Sequence, residues 1–335
     1  MATVELGIVT TLASSTTAVS MARMVDDLGF DRFAVSDTQP LLYHAAYPAV
    51  TAALLQTKHI KIGPNVTNPV TRHWSIHGAT ARAFEELAPG RFFLGFGTGD
   101  GAVHSVGLKP AKLSEFSDAV IQLRRVMPKT TPIHMAFSGP KGMAVAGQLA
   151  DEVTIGVGMD AGALRELAGL ARAARKKAGI AAPLKIWTGA PVYFAESAAD
   201  VPAMRALAGG MVALAARFAF SVSFENKNVP PQFQPVLKQF LDNYAFAHHA
   251  KAEGNPNAKL FDERPDVRDY LIDRFAVVGT PEQCAERLAN LVRDAELDGL
   301  WIMPGAPTSD TAEMKRRLEL VAKHFARVRT RPVLA

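Results

Sequence analysis

Short apolar runs alternate with longer segments of helical periodicity from one end of the chain to the other. The runs are Val4–Val9, Arg32–Ser36, Ile60–Val66, Arg91–Phe96, Pro132–Ala136, Glu152–Ile155, Ile186–Phe194 and Gly299–Met303. They are continuous rather than alternating, the pattern of strands buried on both faces of a parallel sheet. The segments between them carry helix boundaries. Thr17 to Leu28 has apolar residues at helical spacing and is closed by Gly29. Thr280-Pro281-Glu282 sets a capping residue before proline at the first helical position, with acid in the first turn. A strand–helix alternation repeated about eight times closes most economically into an α/β (β/α)8 TIM barrel.

The spacing breaks once. About a hundred residues separate Phe194 from Gly299, where a regular unit takes roughly 30. Within this stretch Asn226 to Gln234 is rich in Pro, Asn and Gln, and Ala252 to Asn257 is a second polar break. The expectation is a mainly helical insertion after strand seven, at about 196–280, with no strands and no core signature of its own. Residues 1–335 then form one barrel domain.

Composition changes this picture little. Of the 335 residues 48% are hydrophobic and 21% charged, enough for a large core and too apolar for disorder. No apolar run reaches the ~18 residues that span a bilayer. The N-terminus shows no basic-then-apolar leader, and the single cysteine, Cys284, allows no internal disulfide, so the expected compartment is the cytoplasm. Cys284 falls in the first turn of a helix, where a packed or surface thiol rather than a nucleophile is the expectation. The net charge of +5 is spread out, without the basic stripe and interleaved aromatics of a nucleic-acid binder.

In a barrel, function collects at the carboxyl ends of the strands. Here these are Thr10-Thr11, Ser36 to Pro40, Asn65 to Pro69 followed by Thr71-Arg72-His73, Gly95 to Gly101, Ser138 to Gly142, and Gly156-Val157-Gly158. In Gly95 to Gly101 glycine at alternate positions lets backbone approach a flat ligand. The run lacks the Gly-x-Gly-x-x-Gly order of a dinucleotide fold. Asp100 at its end either orients substrate and exchanges a proton or serves as a turn or cap. Ser138-Gly139-Pro140 precedes a helix from about Met143 to Leu149, whose free N–H groups could receive a phosphate, or it is an ordinary loop. His73 and His104 are the best-placed histidines, His134 reads as core or as a support behind the site, and His248-His249 as a surface pair. No His-Glu-x-x-His or similar spacing appears, so no metal is expected, and the absence of Gly-x-Ser-x-Gly argues against a serine hydrolase.

Together these strand ends resemble the luciferase-like superfamily of flavin- and deazaflavin-dependent oxidoreductases, and most of all its methylenetetrahydromethanopterin reductase-like branch, which uses coenzyme F420. The likeness is carried by Leu28-Gly29-Phe30-Asp31 leading to Ser36-Asp37, by Ile62 through His73, by Glu86 through Asp100, by Ser138-Gly139-Pro140 before Leu149 to Val153, and by Val278 to Pro281. It implies ring contacts from Asp37, Asn65, Val66, Gly97, Thr98 and Gly99, with Asp100 beside the reacting face. It also implies phosphate contacts from Ser138, Gly139, Gly156 and Gly158, and a non-prolyl cis bond at Asn65–Val66. One departure stands out: Thr38 occupies the position after the second-strand aspartate where many relatives have histidine, which separates the chain from the sugar-phosphate dehydrogenase branch.

The resemblance thus implies hydride transfer between reduced F420 and a small organic substrate. The alternatives are two-component monooxygenation with reduced FMN from a separate flavin reductase, and a non-catalytic flavin-binding barrel. The part of the insertion from Arg217 to Tyr270 would hold the substrate specificity. A homodimer is implied by relatives that pair near strands two and three, and the apolar segment Pro48 to Gln56 is the candidate face unless it packs on its own barrel.

Overall fold

A computed structural model describes residues 2–10, 14–38, 45–248, 255–259, 261–306, 308 and 310–332. Thr11, Gln39, Pro40, His249 and Ala252 to Gly254, named above, lie outside them.

Eight parallel strands follow the eight apolar runs: β1 (Glu5–Thr10), β2 (Arg32–Val35), β3 (Lys61–Pro64), β4 (Leu94–Phe96), β5 (Ile133–Phe137), β6 (Glu152–Ile155), β7 (Lys185–Phe194) and β8 (Gly299–Pro304). Hydrogen-bonded neighbours run β3-β2-β1-β8-β7-β6-β5-β4. The ring closes between β3 and β4 through two parallel bridges, Ile62 with Phe92 and Thr67 with Phe96. The chain is the expected (β/α)8 barrel.

Closure is tight because glycines let two backbones meet. A Cβ on Gly63 would stand 2.1 Å from the Phe93 carbonyl oxygen, and one on Gly95 1.9 Å from that of Pro64. The interior is filled by large side chains. Trp187 and Trp301 lie with ring centres 4.9 Å apart, and each fits because a glycine faces it: Gly299 under Trp187, Gly7 under Trp301. At the amino ends of the strands, Arg32 is buried and forked on Glu152 and Glu5, with Nε to Glu5 Oε2 at 2.6 Å and Nη2 to Glu152 Oε1 at 2.7 Å. His134 completes the group, 2.9 Å from Glu152 and 2.6 Å from Thr154 Oγ1. It is core, as its sequence position suggests. The hydrogen bonds from His134 and Arg32 overcome the upward push of burial and hold the Glu152 carboxyl well below its ordinary range. This charged group closes the amino-terminal end of the barrel, at the opposite end from the mouth where barrel chemistry collects.

The outer helices are α1 (Ser15–Asp27), α2 (Ala46–Gln56), α3 (Trp74–Leu87), the short α4 (Gly101–His104), α5 (Leu113–Val126), α6 (Pro140–Leu149) and α7 (Ala161–Lys177). The insertion adds α8 (Val201–Gly209), α9 (Val212–Phe220), α10 (Gln234–Asp242), α11 (Pro256–Lys259) and α12 (Pro265–Phe275), before α13 (Pro281–Asp294) and α14 (Thr311–His324). Thr280 caps α13, accepting from Gln283 N at 3.4 Å while Gln283 Oε1 accepts from Thr280 N at 2.9 Å. Cys284 is buried one turn along, and burial pushes its thiol up to about 12.

Two features of the insertion differ from expectation. Its helices pack on an apolar cluster of their own, around Phe220, Leu237, Phe240, Phe261, Leu271 and Phe275. A three-residue strand, Val277–Gly279, pairs with the outer end of β7. Arg274 ties this unit to the barrel, donating to the carbonyls of Val157 at 2.7 Å and Lys227 at 2.6 Å. Among the described residues no single helix is long and apolar enough to cross a membrane.

Candidate active site

The mouth of the barrel is organised by the β3 and β4 ends. The Asn65–Val66 peptide is cis, as the resemblance implies. The chain then turns back so that Thr67 N donates to Gly95 O and Gly97 N to Thr67 O, both at 2.9 Å. Val66 packs against Gly97: a Cβ there would come within 2.9 Å of Val66 Cγ2. Gly99 has φ +82° and lies against Asn68, where a side chain on residue 99 would be strained and crowded. Asn68 is buried and held by its oxygen, which accepts from Val70 N at 3.0 Å and Thr71 N at 2.9 Å. Its amide nitrogen is buried without a hydrogen-bond partner.

Behind this loop stands a polar relay. Asp37 is buried and accepts both arms of Arg72, with Nη2 to Oδ1 at 3.2 Å, and the Ala46 N–H at 3.3 Å. Arg72 lies over the Tyr47 ring, 5.3 Å from its centre. The Tyr47 hydroxyl bonds to His77 Nδ1, and His77 Nε2 donates to the Asn68 carbonyl at 3.1 Å. Donation from Nε2 leaves Nδ1 as the acceptor, so the imidazole is neutral and its tautomer is set by its partners. Burial pushes His77 down to about 4, with the Arg72 charge acting in the same direction, and burial raises the Tyr47 hydroxyl. His77 escaped the sequence analysis. The readable signal was its place one helical turn beyond His73, in line with Ala81 and Phe84 on the buried face of α3.

Asp100 begins α4, and its side chain makes no capping bond. Instead Oδ1 lies 3.4 Å from Arg217 Nη2 and 3.6 Å from His104 Nε2. Asp100 and His104 therefore come together, joined by an arginine from the insertion. His73 takes no part in this group. It is exposed and caps α3, with Nδ1 2.8 Å from Ser75 Oγ and 3.4 Å from Ser75 N. Thr98 is held by its carbonyl, which accepts from Ala111 N at 3.0 Å.

The β5 and β6 ends meet α9. Ser138 Oγ donates to the Phe218 carbonyl at 3.0 Å, and the Phe218 ring covers Gly156, where a Cβ would lie 2.2 Å away. Gly158, at φ +79°, is wedged under the Arg274 carbonyl and the Phe275 ring. Gly139, which caps α6, faces open space. The donor set fits a flavin-type group at two points: the unspent Asn68 amide beside the β3–β4 backbone, and the open helix start at Gly139. Among the described residues no three His, Cys, Asp or Glu side chains group as metal ligands would.

Known proteins share this architecture. The chain is 25% identical over 333 residues to 5,10-methylenetetrahydromethanopterin reductase of Methanolobus tindarius, covering 91% of this chain and 94% of that one. The coenzyme F420 dependent tetrahydromethanopterin reductase of Methanopyrus kandleri superposes with a TM-score of 0.74 at 18% identity, over 98% of this chain and all of that one. The FMN-bound oxygenating constituent of 3,6-diketocamphane monooxygenase from Pseudomonas putida superposes with a TM-score of 0.67 at 18% identity, over 98% and 100% of the two chains. The family described as luciferase-like monooxygenase matches residues 3–299, and with the barrel and its mouth in view the chain belongs to that family, a luciferase-like oxidoreductase using a flavin or deazaflavin.

Proposed function

We propose that the protein uses F420 to move a hydride to or from a small organic substrate at the barrel mouth. The observation that carries this reading is the buried, unpartnered Asn68 amide beside the Asn65–Val66 turn, a fixed donor for a polar ring edge. The likeness to reductases named for methylenetetrahydromethanopterin and F420 favours deazaflavin over FMN. When bound, the cofactor would donate or accept the hydride. The chain's own groups then divide the remaining work.

Asn65, Val66, Gly97, Thr98 and Gly99 would hold the ring, and Asn68 would offer it the free amide donors. Asp37 acts through Arg72, and the Tyr47–His77 relay holds the Asn68 carbonyl. Asp100, backed by His104, exchanges a proton with substrate. Gly139, and Ser138 once Phe218 releases its hydroxyl, would take the phosphate; Gly156 and Gly158 would shape the floor beside them, since the Gly156 N–H already donates to the Phe137 carbonyl and Gly158 lies under Arg274 and Phe275. The working unit is a cytoplasmic homodimer.

Titrating the cofactor-free protein with F420 and with FMN tests the reading. Saturable binding of F420, at least tenfold tighter than FMN, is the expected result. Preference for FMN would replace hydride transfer by two-component monooxygenation, with a flavin reductase as partner. Binding of neither would end both.

A further inference from the structure

Arg217 projects from α9 into the Asp100 group with one of its two terminal nitrogens unpartnered. Its Nη2 meets Asp100 Oδ1 at 3.4 Å, while Nη1 is buried with no hydrogen-bond partner. Aromatic rings crowd the guanidinium: its carbon lies 5.0 Å from the centre of Phe246 and 5.7 Å from that of Tyr244. The Phe246 ring continues onto His104, with centres 4.4 Å apart. The rings and Asp100 hold the guanidinium in place, yet a buried donor with nothing to donate to is destabilising, and neither contact satisfies Nη1. An arginine whose only task was to pair Asp100 would gain by presenting both arms to the carboxylate.

We propose that Arg217 anchors a carboxylate on the substrate, received by the free Nη1 arm beside the Tyr244 and Phe246 rings and brought near Asp100. The Nη1 N–H groups can donate to a carboxylate while Nη2 stays on Asp100, and the rings receive the adjoining carbon skeleton. His104 Nε2, 3.6 Å from the same Asp100 oxygen, is placed to bring the proton that offsets a second anion. The inference deepens the oxidoreductase reading and rests on it for the word substrate. It names the substrate class as small organic acids.

Calorimetric titration with benzoate and with its neutral counterpart benzamide tests the anchor. It is run on the cofactor-free protein and on protein loaded with whichever cofactor it binds. Wild type should bind benzoate at least ~10-fold tighter than benzamide. Arg217→Gln should lower benzoate affinity by ~10–100-fold and leave benzamide within about twofold. Arg217→Lys keeps the charge without the fork and should fall between them; it carries the comparison if Arg217→Gln does not fold. Equal affinities for the two probes, no benzoate binding by wild type, or unchanged benzoate affinity in the variants would overturn the proposal. The cofactor titrations fail separately: loss of F420 binding removes the deazaflavin reading and leaves the benzoate result standing.

Discussion

Asp100 and His77 occupy opposite ends of what a single side chain does at this mouth. Asp100 is partly exposed and shares one oxygen between Arg217 and His104, a position for exchange with a ligand rather than for holding a turn. Replacing it by asparagine keeps the size and the capping ability and removes the charge. If Asp100 carries a proton in the reaction, Asp100→Asn should slow single-turnover oxidation or reduction by ~10²–10⁴-fold, while cofactor dissociation changes little. A near-wild-type rate would shift the proton-transfer role to His104. His77 instead is sealed in the core and neutral. Its ordinary value of 6.5 is pushed to about 4 by burial, so above pH 6.5 neither the folded nor the unfolded chain carries its proton and stability is complete. Between pH 6.5 and 4 the unfolded chain takes up a proton that the folded chain refuses, and stability falls. The loss is roughly 3 kcal/mol across that window, at about 1.4 kcal/mol per pH unit. Denaturant unfolding at pH 7, 6 and 5 should show this slope in wild type and a shallower one in His77→Gln. Parallel profiles would mean that other groups govern the acid limb.

At the scale of elements, the β3–β4 seam decides whether the barrel closes. Its strands meet backbone to backbone, so a methyl group on Gly95 has no room beside the Pro64 carbonyl. Gly95→Ala should destabilise by at least ~3 kcal/mol, the upper end of ordinary overpacking, or prevent folding. Gly139→Ala serves as the contrast, since nothing lies within 4 Å of the added carbon and φ is −136°. It should stay within ~0.5 kcal/mol of wild type in chemical denaturation. Comparable losses in both variants would show that the seam is not the constraint. The eight strands were legible in the sequence because burial on both faces imprints a continuous apolar run. The Gly97-Thr98-Gly99-Asp100 turn was legible because backbone approach requires glycine. Val277–Gly279 was not, since three residues are too few to carry a pattern. Nor could local periodicity show which face of α9 turns inward. Arg217 meets a carboxylate 117 positions away and Phe218 a hydroxyl 80 positions away. Those pairings exist only after the chain has folded.

For the whole molecule, the structure moves the candidate dimer face off the segment that the apolar pattern marks. The apolar segment from Pro48 to Gln56 suggested a face for a partner, but Ala49, Val50, Ala53 and Leu54 are buried against the chain's own barrel. That apolar stripe is the inner face of α2. What remains outside on α2 and α3 is Leu55, Ile76 and Leu87, each about half exposed at 57%, 52% and 47%. Single exposed leucines are common on monomers and prove little one at a time. A stable dimer must cover more, on the order of 800 Å² per partner, so these three residues would have to sit inside one interface together with polar neighbours. Light scattering at micromolar concentration should then give twice the 36.0 kDa chain mass. Ile76→Glu sets a charge into that face without touching the buried side of α3, which is formed by His77, Ala81 and Phe84. It should shift the mass toward 36.0 kDa while circular dichroism stays unchanged. A wild-type mass of one chain would remove the dimer from the proposal. A dimer untouched by Ile76→Glu would move the interface away from α3, to a face the apolar pattern of the sequence does not mark.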